Sequence, residues 1–189
     1  MYLGELAKTL KINNLEEIFT GEQDRFFQPV FQCSSSEYGL LNNLYNAKSL
    51  YEHRGIYIPN VNISVIFKEG EEIKQTEYIA ELLEDEGINV FNEIIYASYV
   101  LFHEEGHAKD FENSKLTPEQ FIDRDVIDRY DLELQKEKIA NAKPEEIELQ
   151  TDLFFLKYNM MKPERIANEY AIKKIVDEID TILQIGKEL

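Results

Sequence analysis

The stretch "NEIIYASYVLFHEEGH", residues 92–107, constrains this chain more than any other. Its first part is an apolar helical run that buries the helix, and its end carries two histidines four residues apart. An α-helix turns about 100° per residue, so such residues lie on nearly the same face, about one turn apart. His103 and His107 can therefore aim both imidazoles at one metal ion, held still by the buried run before them. Glu104 sits beside that face, where its carboxylate reaches a metal-bound water without being a ligand. Gly106 leaves room for a neighbouring element to pack closely.

This is the mechanical content of His-Glu-x-x-His: two ligands and a general base from a single helical turn. Zinc held this way keeps an open position, lowers the pKa of its water and polarises a substrate carbonyl. Glu104 would take the water's proton during attack on a peptide carbonyl and then deliver it to the leaving amine. The competing reading is a fortuitous pair on an acid-rich helix. The chain has three histidines in all, which makes that coincidence uncommon.

A catalytic zinc usually has three protein ligands and a water. No histidine or cysteine follows His107. The third ligand is therefore a downstream carboxylate, or else His53 or Cys33 from upstream. Glu164 in "KPERIANEYAIKKI" is the best carboxylate, in the first turn of an expected helix. Asn168 follows one turn later on the same face, where it can hydrogen-bond a ligand histidine from outside the metal shell. Ala167 and Ala171 add a small-residue stripe that lets this helix approach the first. The other carboxylates are weaker choices. Asp110 shares the histidines' helix, Glu169 points to a different face from Glu164, and Asp152 sits in an otherwise apolar stretch. His53 also reads as an ordinary surface histidine near a helix end. Cys33 has no base near it in sequence, and Tyr158 and Tyr170 are candidate donors to a tetrahedral intermediate.

Along the rest of the chain, residues 3–19 read as one or two short helices, and the following aromatic and turn-rich stretch as irregular. Residues 40–55 read as a helix. The period then changes: Ile63, Val65 and Phe67 alternate, which predicts a strand over 62–68, paired with a shorter one near 56–59. The free edge of that strand could take an extended substrate. From there helices are expected over 74–86, 91–112, 118–139, 144–160 and 162–186. Pro118, Pro144 and Pro163 stand at first turns with acids behind them. The acid-rich "IDRDVIDRYD" lacks the glycine and spaced ligands of a calcium loop.

The length, 189 residues, suits a single domain over 1–189. Acidic residues outnumber basic ones 37 to 20, for a net charge of −17. Such a surface repels phosphate backbones and argues against direct nucleic-acid binding. "LAKTLKIN" is followed by no basic recognition helix. No secretory signal is recognisable, and no apolar run approaches the roughly 20 residues of a membrane span. With one cysteine there is no internal disulfide, and the expected location is the cytoplasm. The oligomeric state is not written in the sequence.

"HEEGH" followed by "ERIANEYA" resembles the ImmA/IrrE family of zinc metallopeptidases. There the second motif reads roughly Glu-x-x-Ala-Asn/Asp-x-Phe/Tyr-Ala, and Glu164, Asn168 and Tyr170 match it. The resemblance implies that Glu164 is the third zinc ligand. It implies a mainly α fold with a small β-sheet, zincin-like, with one zinc per chain. It further implies regulated cleavage of a protein substrate, typically a DNA-binding transcriptional repressor of a phage, mobile element or stress response. The 56 residues of 108–163 exceed the family's usual gap between motifs, which predicts a helical insertion there. A metallopeptidase-like protein that binds as an anti-repressor without proteolysis is the alternative. The intact Glu104 favours the enzyme, since a pure binder needs no base beside the metal.

Overall fold

A computed structural model describes residues 1–19, 29–32 and 55–187. Helix α1 (Leu3–Thr9) leads into strands β1 (Leu15–Phe19), β2 (Val30–Gln32) and β3 (Gly55–Pro59). Helices α2 (Ile63–Glu72), α3 (Gln75–Asp85) and α4 (Glu93–Ser114) follow. Then come α5 (Pro118–Asp123), α6 (Val126–Ala140), a 3-10 turn (Pro144–Glu146), α7 (Ile147–Met160) and the long α8 (Lys162–Lys187). The described chain is mainly helical with one small sheet. Cys33, His53 and nearly all of the helix expected over 40–55 lie outside the described residues; Gly55 opens a strand.

Helix α4 is the centre of the core. Every residue from Ile94 to Phe102 is buried, as a helix apolar on all sides must be. It is covered by α8 along one side and by α1, α2, β2 and β3 on the others. The hydroxyls in this run are all bonded: Ser98 Oγ donates to the Ile94 carbonyl at 2.7 Å, Tyr96 to Gln75 Oε1 at 2.7 Å and Tyr99 to Asn168 Oδ1 at 2.7 Å. Leu3, Leu6, Ile56, Ile58, Ile66 and Ile79 complete the fully buried surroundings.

The closest approach is between α4 and α8. Ala167 and Ala171 are fully buried on α8. A Cβ built on Gly106 would lie 2.8 Å from Ala167 Cα. Only a hydrogen at Gly106 lets the two backbones meet at this level, one residue before His107.

The sheet has the order β1-β3-β2. β1 runs parallel to β3, with Leu15 opposite Ile56, and β2 runs antiparallel to it, with Phe31 opposite Ile56. Gly55–Pro59, the central strand, is buried throughout.

Three expectations are corrected. The segment expected as a strand over 62–68 is helix α2. Asn62 caps it, accepting from Ser64 N–H at 3.1 Å, and the buried positions Ile63, Ile66 and Gly70 have helical spacing. Val65, which the alternation placed inside, is 38% exposed. Second, the helical reading of 3–19 fails after Thr9. Lys11 and Asn14 adopt left-handed backbone (φ 54° and 60°), which ends the helix and lets 15–19 form β1. Third, residues 30–32, read as irregular, form β2. The expected strand near 56–59 is present as β3.

Helices α5 to α7 connect the two long helices. Within 108–163, α4 continues to Ser114 with Ala108 and Phe111 buried. Arg124 ties the segment back to α4. Its guanidinium meets Asp110 at 2.5 Å and Asp125 at 2.8 Å, and lies 4.0 Å over the Phe121 ring. Gln135 of α6 donates to the Gln150 carbonyl of α7 at 3.0 Å. Among the described residues no helix is long and apolar enough to cross a membrane.

Gly106→Ala tests the helix contact. In an exposed helix this change stabilises by roughly 1 kcal/mol. Here the added methyl meets backbone, so the expected outcome is a loss of about 1–3 kcal/mol in urea denaturation. A gain in stability would show that the helices do not meet at Ala167.

Candidate metal centre

The helical spacing of His103 and His107 brings their Nε2 atoms to 3.0 Å, with the rings perpendicular and centroids 4.6 Å apart. Glu164 enters from the first turn of α8. Its Oε2 lies 3.3 Å from His103 Nε2 and 3.7 Å from His107 Nε2. That oxygen is buried and has no hydrogen-bond partner among the described residues.

These three atoms can be compared with a metal shell. A tetrahedral zinc with ligand bonds of roughly 2.0–2.1 Å holds its donors about 3.3–3.4 Å apart. The observed separations of 3.0, 3.3 and 3.7 Å bracket that value. A buried carboxylate oxygen without a hydrogen bond is costly unless a positive charge faces it. Burial alone would push the Glu164 carboxyl up, but the two imidazoles outweigh it and hold it well below the usual carboxylate range. The donor set of two imidazoles and one carboxylate therefore fits zinc.

Glu104 is differently placed. Its Oε2 accepts the backbone N–H of Phe31 on β2 at 2.6 Å. A Glu104 oxygen also lies within 4.8 Å of ligand nitrogens on both histidines. The residue keeps some solvent access, yet its carboxyl lies deep among protein atoms. Burial pushes it up to about 7, with Glu164 adding to the rise and His103 and the Phe31 N–H opposing it. A base near 7 suits proton transfer at neutral pH.

Asn168 stands one turn beyond Glu164, but it does not bond a histidine as expected. Its Oδ1 accepts from the Tyr99 hydroxyl at 2.7 Å, and the Tyr78 hydroxyl also faces it. Tyr99 in turn stacks on His103 at 6.1 Å between centroids. Asn168 therefore supports His103 through the Tyr99 ring. His103 Nδ1 is buried without a hydrogen-bond partner among the described residues.

The remaining candidates do not join the two imidazoles and Glu164, apart from Tyr158. Asp110 is engaged by Arg124, and Asp152 and Glu169 are exposed. Tyr170 faces Glu105, not the histidines. Glu105, the second glutamate of the motif, accepts the Asn13 backbone N–H at 3.1 Å and anchors α4 to the turn before β1. Tyr158 does reach the site, where its hydroxyl faces Glu164; burial, then the Glu164 charge, keeps it protonated.

Tyr99, Tyr78, Asn159 and the Phe31 N–H are parts of the site that the sequence reading missed. Only Tyr99 left a signal, one helical turn before His103. A cavity of about 50 Å³ opens beside His103 and Glu104, walled by Tyr78, Tyr99, Tyr158 and Asn168. It is large enough for water, which needs about 10–15 Å³.

Zinc binding should stabilise the fold. With free zinc at a hundred times its dissociation constant, unfolding free energy is expected to rise by about 2.7 kcal/mol, and a chelator should reverse this. Glu164→Ala should abolish most of the gain, whereas Asn168→Ala should weaken zinc affinity by about 10–100-fold. Denaturation with and without zinc measures both, and an unchanged gain in Glu164→Ala would remove it from the ligand set.

No protein-family model, curated protein or solved structure matches this chain.

Proposed function

We propose that this chain is a zinc-dependent endopeptidase with a zincin-like arrangement of two ligand helices. The observation that carries the reading is the approach of Glu164 Oε2 to within 3.7 Å of both imidazole nitrogens, beside a second, more basic carboxylate on Glu104. His103, His107 and Glu164 would hold the ion. Zinc supplies Lewis acidity there, activating water as a nucleophile and polarising a peptide carbonyl.

The chain's own residues do the rest. Glu104, fixed by the Phe31 N–H, takes the proton of the attacking water and passes it to the leaving amine. Tyr158 holds Glu164 in place by facing its carboxylate. The stacked Tyr99, bonded to Asn168, fixes the His103 ring. Tyr99, buried, and Tyr78 and Tyr158, half-buried, wall this corner.

The substrate is a specific protein in the cytoplasm, and a transcriptional repressor of a phage or mobile element is the class that the ImmA/IrrE resemblance supports. The net charge of −17 suits a basic partner of that kind.

Glu104→Gln is the discriminating variant. It should retain zinc and lose hydrolysis by a factor of about 10²–10⁴, the usual contribution of a general base. Co-expression with candidate repressors, followed by mass spectrometry of fragments and metal analysis of the purified variant, measures both. Cleavage that survives in Glu104→Gln at the wild-type rate would sink the mechanism.

A further inference from the structure

A much larger cleft lies beside the metal corner. A cavity of about 580 Å³ lies between the α2–α3 junction and α7, within the size range of ligand pockets. Its walls include Ile73, Tyr78, Phe154, Phe155 and Tyr158. Gln75, Tyr78, Tyr158 and Asn159 line both this cleft and the small cavity that holds His103 and Glu104. The two spaces therefore share a wall. Phe154 and Tyr158 stack at 6.4 Å with 15° between their planes, so an aromatic surface runs from the shared wall into the cleft.

We infer that this cleft is the subsite for a large apolar side chain next to the scissile bond, of the Phe, Leu or Met class. The inference rests on the metallopeptidase reading above. A peptide whose carbonyl lies at His103 and Glu104 has its neighbouring side chain within reach of the shared wall. The apolar lining disfavours an unpaired polar group. At the rim Lys74 is already paired with Glu148 at 3.1 Å, and Asp152 adds a second negative charge that repels acidic side chains. The wall formed by α7 belongs to the segment between the two ligand helices, so that segment sets the substrate preference.

Zinc-loaded full-length protein, titrated calorimetrically with N-acyl hydroxamates of phenylalanine, glycine and lysine, separates the subsite from the metal. Hydroxamate binds zinc and the side chain reports the cleft. The phenylalanine compound should bind at least about tenfold tighter than the glycine one, the effect of burying a large apolar side chain. Thr151→Trp, which fills the cleft, and Phe155→Ala, which removes a wall, should each pull this ratio towards one. Zinc content and glycine-hydroxamate affinity should stay as in wild type. Equal affinities in wild type, a preference for the lysine compound, or a ratio that survives both variants overturns the subsite. Failure of all three compounds to bind zinc-loaded protein is a different result: it overturns the metallopeptidase reading, and the subsite with it.

Discussion

The close approach of α4 and α8 at Gly106 and Ala167 is the contact on which the rest depends. Glu164 lies less than one turn before Ala167, and His107 immediately follows Gly106. With a Cβ at Gly106 meeting Ala167 Cα at 2.8 Å, any larger residue pushes the helices apart. A shift of even an ångström at that level would take Glu164 Oε2 out of reach of the imidazoles, now 3.3 and 3.7 Å away. The buried apolar run of α4 supplies the rigidity that keeps the distance, because a close-packed core resists such displacement.

Two glutamates that both border the histidine pair are driven in opposite directions by their surroundings. Glu164 is buried but faces two imidazoles, and its carboxyl is held down. Glu104 keeps some solvent access but its carboxyl is desolvated with less compensation, and it rises to about 7. A carboxylate that stays ionised is suited to hold a cation, and one poised near neutrality is suited to move a proton. The opposite shifts follow from which groups each carboxyl meets, since the residue type is the same. The sheet contributes through one backbone N–H, that of Phe31, which fixes the direction of Glu104.

What the sequence disclosed depended on the range of the interaction. The apolar run before His103, the histidine spacing and the proline-led helix starts are local patterns, and the helices stand close to where those patterns place them, except that the one expected over 118–139 breaks at Arg124–Asp125 into α5 and α6. The segment from Ile63 misled because β-branched residues at alternate positions imitate a strand. The deciding signals were the Asn62 cap and the spacing of Ile63, Ile66 and Gly70. The Tyr99–Asn168 bond joins residues 69 positions apart and exists only because α4 and α8 pack together. No single-chain pattern announces it. The cleft behind Tyr158 is of the same kind, since its walls come from the α2–α3 junction, α3 and α7.

The central claim is that His103, His107 and Glu164 form one metal shell, with Glu104 outside it. A crystal structure of the zinc-loaded protein, with anomalous data at the zinc absorption edge, tests it directly. One ordered zinc is expected at roughly 2.0–2.2 Å from both Nε2 atoms and a Glu164 oxygen, with Glu104 beyond bonding distance. A zinc ligated by Glu104 in place of Glu164, or no ordered zinc between the two histidines, would contradict it.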